Sequence, residues 1–318
     1  MPFTITMLYH PTIAVDDLEA ARGWFRDVFG RRPLRWEETL DLDLLDPEYP
    51  KNYSFFAFIA DEHWVFLCPT LHATGKLAGQ TRYKGVPEGM IGLGWSTDDA
   101  VDVFAELADR GIGAIDQQGQ LITTAAKPVS SFADDILTGF TLPEDTGFRY
   151  EFQQTSPRHW PKYAEFADPR LGDDWSGPKL DPADPLGILR TSHHTILTLD
   201  LDRALGFYRD ALGAVVLDST RNVELGAEST FVRLADTTLE FAVPDDPAPW
   251  AERLSDGRDF YQGVTFEVAD PDKAFRHLEE VGVAPVRLSD EVVSIQPEHG
   301  FGAEWRFVRK SATEADES

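Results

Sequence analysis

The sequence predicts an α+β protein made of four βαβββ modules. Three observations predict it. A strand-then-helix unit, Ser192–Gly213 (SHHTILTLDLDRALGFYRDALG), recurs at Tyr9–Gly30 (YHPTIAVDDLEAARGWFRDVFG) with a constant offset of 183. A weaker repeat relates Ile91–Gly111 to Gln262–Gly282 at an offset of 171. Between these units lie matching strand pairs, FAFIADEHWVFLCP (Phe56–Pro69) and FVRLADTTLEFAVP (Phe231–Pro244), with an Ala-Asp turn at the same place in both. Internal repeats fix an architecture before any local reading does.

Each element has a local cause. His10 opens the first strand, and Asp17 then ends it and can cap a helix. Leu18, Ala21, Phe25, Val28 and Phe29 follow at helical spacing, and Gly30 closes the helix. The third module repeats this with His193, Asp200, then Leu201, Ala204, Tyr208, Ala211 and Leu212, and finally Gly213. Asp99 and Asp270 cap the helices of modules two and four, with Val103, Phe104 and Leu107 matching Ala274, Phe275 and Leu278. Pro271 falls in a first turn, where proline is tolerated. Both even-numbered modules end in a strand with a glutamate four residues after a glycine: Gly147 to Glu151 and Gly300 to Glu304. The modules span 4–72, 88–155, 190–247 and 259–309. Two domains are therefore expected, 1–155 and 190–309, joined by a linker rich in Pro, Asp and Gly at 156–189. Its aromatic, basic start, Ser156–Phe166, reads as linker packed across both halves rather than as a lid. The end of the chain, 310–318, reads as a disordered tail.

Composition excludes some partners. A net charge of -26 on 318 residues argues against nucleic acid or an anionic membrane surface. No apolar run approaches the roughly 20 residues of a membrane span. The start, MPFTITMLYH, lacks a signal-peptide pattern, so a cytoplasmic location is expected. Cys68 is the single cysteine, which rules out an internal disulfide and a cysteine-based zinc site and reads as a small buried apolar group. There is no Walker-type GxxxxGK[ST] and no GxSxG.

A strand-initial His with an Asp seven residues on (His10–Asp17, His193–Asp200), the aromatic pairs Trp24-Phe25 and Phe207-Tyr208, and closing strands with Glu before an aromatic resemble the vicinal oxygen chelate superfamily. That group includes glyoxalase I, extradiol dioxygenases, methylmalonyl-CoA epimerase and the bleomycin- and fosfomycin-resistance proteins. The resemblance spans nearly the whole chain. It implies a glyoxalase/dioxygenase-like fold, with modules paired into two cupped mixed sheets. It further implies a divalent metal (Fe, Mn, Ni, Co or Zn) held by first-strand and last-strand residues of paired modules.

Carried over position by position, the resemblance implies His193 and Glu240 in module three and Glu304 in module four as metal ligands, with His10 in module one and Glu151 in module two as a second set. Val65, Gly92 and Gly263 stand where the pattern wants ligands. If the halves pair crosswise, His193, Glu240 and Glu151 meet instead. Glu240 or Glu304 would be the catalytic proton carrier. Outside this set, alternation turns His194 away from His193, His63 and His277 read as surface residues, and His299 reads as a turn residue.

Two functional readings follow. One is a metal-dependent lyase, isomerase or dioxygenase acting on a small oxygen-rich substrate, with the competent site in the C-terminal half and a homodimer as the assembly entertained. The other is a metal-free protein of the same fold that binds or sequesters a small molecule. A metal-free lyase or hydrolase in the same cup fits the sequence as well.

Overall fold

A computed structural model describes residues 2–39, 47–78, 83, 85–124, 128, 135–254 and 257–310. Residues 311–318, most of the segment read as a disordered tail, lie outside the described residues.

The first half runs β1 (Ile5–Ala14), α1 (Leu18–Phe29), β2 (Leu34–Arg35), β3 (Ser54–Ile59), β4 (Glu62–Leu67), β5 (Gly89–Thr97), α2 (Ala100–Asp109), β6 (Ala114–Asp116), β7 (Ile136–Thr141) and β8 (Tyr150–Thr155). A short helix, α3 (Trp160–Phe166), leads into the second half: β9 (Ile188–Leu197), α4 (Leu201–Leu205), β10 (Val215–Asn222), β11 (Ala227–Leu234), β12 (Thr237–Pro244), β13 (Phe260–Val268), α5 (Pro271–Glu280), β14 (Pro285–Ser289), β15 (Val292–Ile295) and β16 (Glu304–Arg309). The strands form two eight-stranded mixed sheets of matching order, β2-β3-β4-β1-β5-β8-β7-β6 and β10-β11-β12-β9-β13-β16-β15-β14. Modules one and two thus share a sheet, as do three and four; the crosswise sheet pairing is not adopted.

The cores do pair crosswise. The face of α1 (Leu18, Ala21, Phe25, Val28, Phe29) is buried with Ala274 and Leu278 of α5, while α2 shares its core with Phe207 and Tyr208. Burying each large apolar side chain contributes about 1.5–3 kcal/mol. Trp64 of β4 and Trp305 of β16 meet at 4.6 Å between ring centroids, joining the two sheets back to back. The cupped faces therefore point outward.

Asp17 caps α1 through the backbone N–H groups of Glu19 and Ala20, and Gly30 ends it with φ 63°. The matching helix of module three differs. It is α-helical only over Leu201–Leu205 and then widens to π geometry over Gly206–Ala211. The wider turn lets both Phe207 and Tyr208 enter the core, where Phe207 stacks on Tyr150 at 4.8 Å.

The two halves are tied by reciprocal hydrogen bonds. Ala60 and Ala235 both adopt φ 53° in their turns, and each turn presents the following aspartate to the other half. Leu8 N–H donates to Asp236 Oδ1 at 2.8 Å, and its repeat counterpart Thr191 N–H donates to Asp61 Oδ1 at 2.8 Å. His194, fully buried on the core side of β9, bridges Tyr261 Oη (2.6 Å) and Glu62 Oε1 of the other half (2.7 Å).

Candidate functional site

Alternation along β1 and β9 turns His10 and His193 to the cupped faces. Strand register then decides their neighbours. In the first sheet His10 is level with Gly94, and Gly94 is level with Glu151. A side chain at position 94 would collide with the imidazole, since its Cβ would lie 2.9 Å from His10 Cε1. The glycine therefore opens the space between His10 and the strand bearing Glu151. In the second sheet the register of the last strand is shifted by two. His193 is level with Thr265 and then Arg306, while Glu304 is level with Gly263 and Thr195. Glu151 and Glu304, equivalent by sequence, are not equivalent in space.

His193 Nε2 lies 3.5 Å from Glu240 Oε2, so that pair is brought together. Glu240 is nevertheless saturated. Ser229 (2.5 Å) and Asn222 (2.8 Å) donate to Oε1, and Thr195 (2.6 Å) donates to Oε2. Burial would raise its carboxyl, but the hydrogen bonds and charge of His193, with Ser229 and Thr195, outweigh burial and hold it at about 2. Glu304 is turned to other partners: Gln262 Nε2 (3.0 Å), Ser294 Oγ (2.8 Å) and Arg306 Nε (2.9 Å). Arg306 thus brings a permanent cation to the place where the resemblance puts a metal. Among the described residues no group of three or more His, Cys, Asp or Glu side chains is arranged to hold a metal ion. The donor set in this arrangement does not fit a divalent cation. A bound cation would have to strip these donors from Glu240 and displace the guanidinium from Glu304.

The first sheet holds a hollow of its own. His10 and Glu151 line one cavity of about 110 Å³, with Tyr9, Phe56, Phe140 and Gln153 from the sheet. His159, Trp160, Tyr163 and Leu171 close it from the segment read as linker, so that segment is a cavity wall. Asp135 anchors it by pairing with Arg158 (2.5 Å) and His159 (3.1 Å). Arg170 latches it further. Its guanidinium binds Asp168 (2.8 Å) and Asp236 of the other half (3.1 Å) and donates to the Tyr9 carbonyl (3.3 Å).

His63 is not a surface residue. It is fully buried on β4, 6.4 Å from His10 and 5.4 Å from Tyr163 between ring centroids. β4 is covered on both faces, by the core and by the wall segment, so alternation there carries no polar face to read. His277 is half-buried, and its Nε2 donates to the carbonyl of Val28 at the end of α1 (2.9 Å). His299 is exposed in the turn before β16, and Cys68 is buried.

Burial holds the His10 imidazole down at about 3, helped by the neighbouring His63 and Arg170. Burial likewise lowers His63 to about 4. Between about pH 6.5 and 4 the unfolded chain binds protons at these sites that the folded chain does not. Stability must therefore fall as pH drops through that window, by up to about 1.4 kcal/mol per pH unit for each histidine. His63→Phe should remove one such proton, so that the loss in urea midpoint between about pH 7 and 5 shrinks. An unchanged loss would show that His63 is protonated in the folded state.

An open α+β architecture of two cupped eight-stranded mixed sheets defines the glyoxalase/dioxygenase-like class. The family model described as Glyoxalase/Bleomycin resistance protein/Dioxygenase superfamily matches residues 190–302. No curated protein matches the sequence. Among solved structures, a mutant of 4-hydroxymandelate synthase from Streptomyces coelicolor is 15% identical with a TM-score of 0.59, covering 96% of this chain and 93% of that one. BphC, a halotolerant catechol dioxygenase, is 15% identical with a TM-score of 0.52, covering 97% and 89%. A hypothetical protein from Staphylococcus aureus is 10% identical with a TM-score of 0.53, covering 98% and 100%. At these identities the likeness is one of fold, and it extends over the whole chain. Among the described residues no helix is long and apolar enough to cross a membrane.

Proposed function

We propose that the chain binds a compact, uncharged, ring-containing molecule in the N-terminal cup without the aid of a metal. One observation carries this reading: an aromatic-walled cavity whose lining residue His10, with His63 packed beside it, is held neutral by burial. About 110 Å³ is close to the ~150 Å³ that accepts benzene in an engineered protein cavity, so the room suits about one ring. Tyr9, Tyr163 and Phe56 supply faces and edges for stacking, and Gln153 and Glu151 supply hydrogen-bonding ends for a hydroxyl or carbonyl.

A second reading is favoured by the level placement of His10 and Glu151 across Gly94. There the pair would carry a proton to and from the bound molecule, as in a lyase or isomerase that needs no metal. The metal-dependent reading, with His193, Glu240 and Glu304 as ligands, would require Arg306 to leave its carboxylate.

Calorimetric titration with phenol, in chelator and again with Mn²⁺, tests the first reading. Affinity is expected to be equal in both and to fall at least about tenfold in Tyr163→Ala. Binding that appears only with the cation would overturn it. Turnover of a bound ligand that Glu151→Gln abolishes while binding persists would select the second.

A further inference from the structure

The reciprocal hydrogen bonds of the two Ala-Asp turns are symmetric, but their surroundings are not. Asp236, which accepts from Leu8 N–H, also receives the guanidinium of Arg170 at 3.1 Å. Asp61, which accepts from Thr191 N–H in the same way, has no cation among the described residues. Beside this turn, toward the C-terminal cup, lies a cavity of about 620 Å³. Four carboxylates, of Asp61, Glu62, Asp236 and Glu267, and three guanidinium groups, of Arg170, Arg190 and Arg233, line it.

Two further observations point the same way. Glu62 Oε2 and Glu267 Oε2 are buried in this lining with no hydrogen-bond donor among the described residues, although Glu62 and Glu267 are only 3% and 8% exposed. Orphaned buried acceptors of this kind are costly, more so when charged, unless something donates to them. The cations nearby are placed otherwise: Arg190 pairs with Glu267 Oε1 at 2.7 Å, Arg170 faces Asp168 and Asp236, and Arg233 is exposed at the rim. Burial, with the charge of Glu62 beside it, pushes the Asp61 carboxyl up to about 6, as befits a carboxylate lacking a counter-ion.

We infer that this cavity binds an organic amine, its ammonium or guanidinium group seated on Asp61 as Arg170 is seated on Asp236. The cation supplies a counter-charge to Asp61 and donors to Glu62 Oε2 and Glu267 Oε2, and Phe231 and Trp175 offer ring faces to the rest of the molecule. A net charge of -26 draws such a ligand toward the surface. This site is separate from the N-terminal cavity and does not depend on what that cavity holds.

Titration calorimetry of the full chain with benzylamine, and with benzyl alcohol as the uncharged analogue, tests the inference. The amine should bind saturably and the alcohol at least about tenfold more weakly. Asp61→Asn keeps the acceptor for Thr191 N–H and removes the charge, and should weaken the amine about tenfold. Glu267→Gln serves as a second variant, read alongside near-ultraviolet circular dichroism, should the first not fold, and it too should weaken the amine. Equal binding of amine and alcohol, no saturable amine binding below about 10 mM, or undiminished affinity in a folded variant would overturn the inference.

Discussion

Arg170→Met is expected to lower stability by about 3 kcal/mol and to speed release of a ligand from the N-terminal cavity. The arginine side chain is 5% exposed and its partner Asp168 is fully buried. Removing the guanidinium leaves that carboxylate buried and unpaired, which is costlier than losing an exposed pair. The same change frees Asp236 and the Tyr9 carbonyl, two of the contacts that fasten the wall segment, one in each half. Urea midpoints and ligand dissociation rates measure the two effects. Adding Asp168→Asn should recover part of the lost stability, because the stranded charge is then gone. A double variant no more stable than the single one would show that Asp168 is not the source of the cost.

Trp305→Ala should cost about 3–5 kcal/mol. The indole is fully buried where both halves meet, 4.6 Å from Trp64, 5.3 Å from Phe29 and 5.7 Å from Trp24 between centroids. Its Nε1 also donates to the Gly300 carbonyl at 3.0 Å. No neighbour is small or free enough to refill the space, so a cavity remains. Trp305→Phe keeps most of the stack and loses the hydrogen bond, and should cost about 1–2 kcal/mol. Denaturant midpoints order the two variants; equal costs would mean that the packing argument is wrong.

Periodicity and repetition made the modules, the caps at Asp17, Asp99 and Asp270, and the opposite facing of His193 and His194 legible in the sequence. The pairing of strands was not. A strand pattern says which side chains share a face, but a two-residue slip keeps every face intact while changing every neighbour. Such a slip separates Glu151 from Glu304 and sets Arg306, not Glu304, level with His193. The wall segment was also illegible as such, because its Pro- and Asp-rich composition reads the same whether it spans a gap or seals a hollow. Asp61 was the signal within reach: the Ala-Asp turn stood at the same place in both repeats, and a turn needs no such fidelity unless its side chain has work elsewhere.

The paired hooks of Asp61 and Asp236 carry one consequence beyond the amine site. They make the kind of contact that two identical half-length chains would make about a twofold axis, where each copy gives what it receives. Within one polypeptide the two sides no longer share a gene segment, so each can change without its twin. Asp236 paired with Arg170, and Asp61 without a cation partner among the described residues, are what that independence looks like at atomic scale.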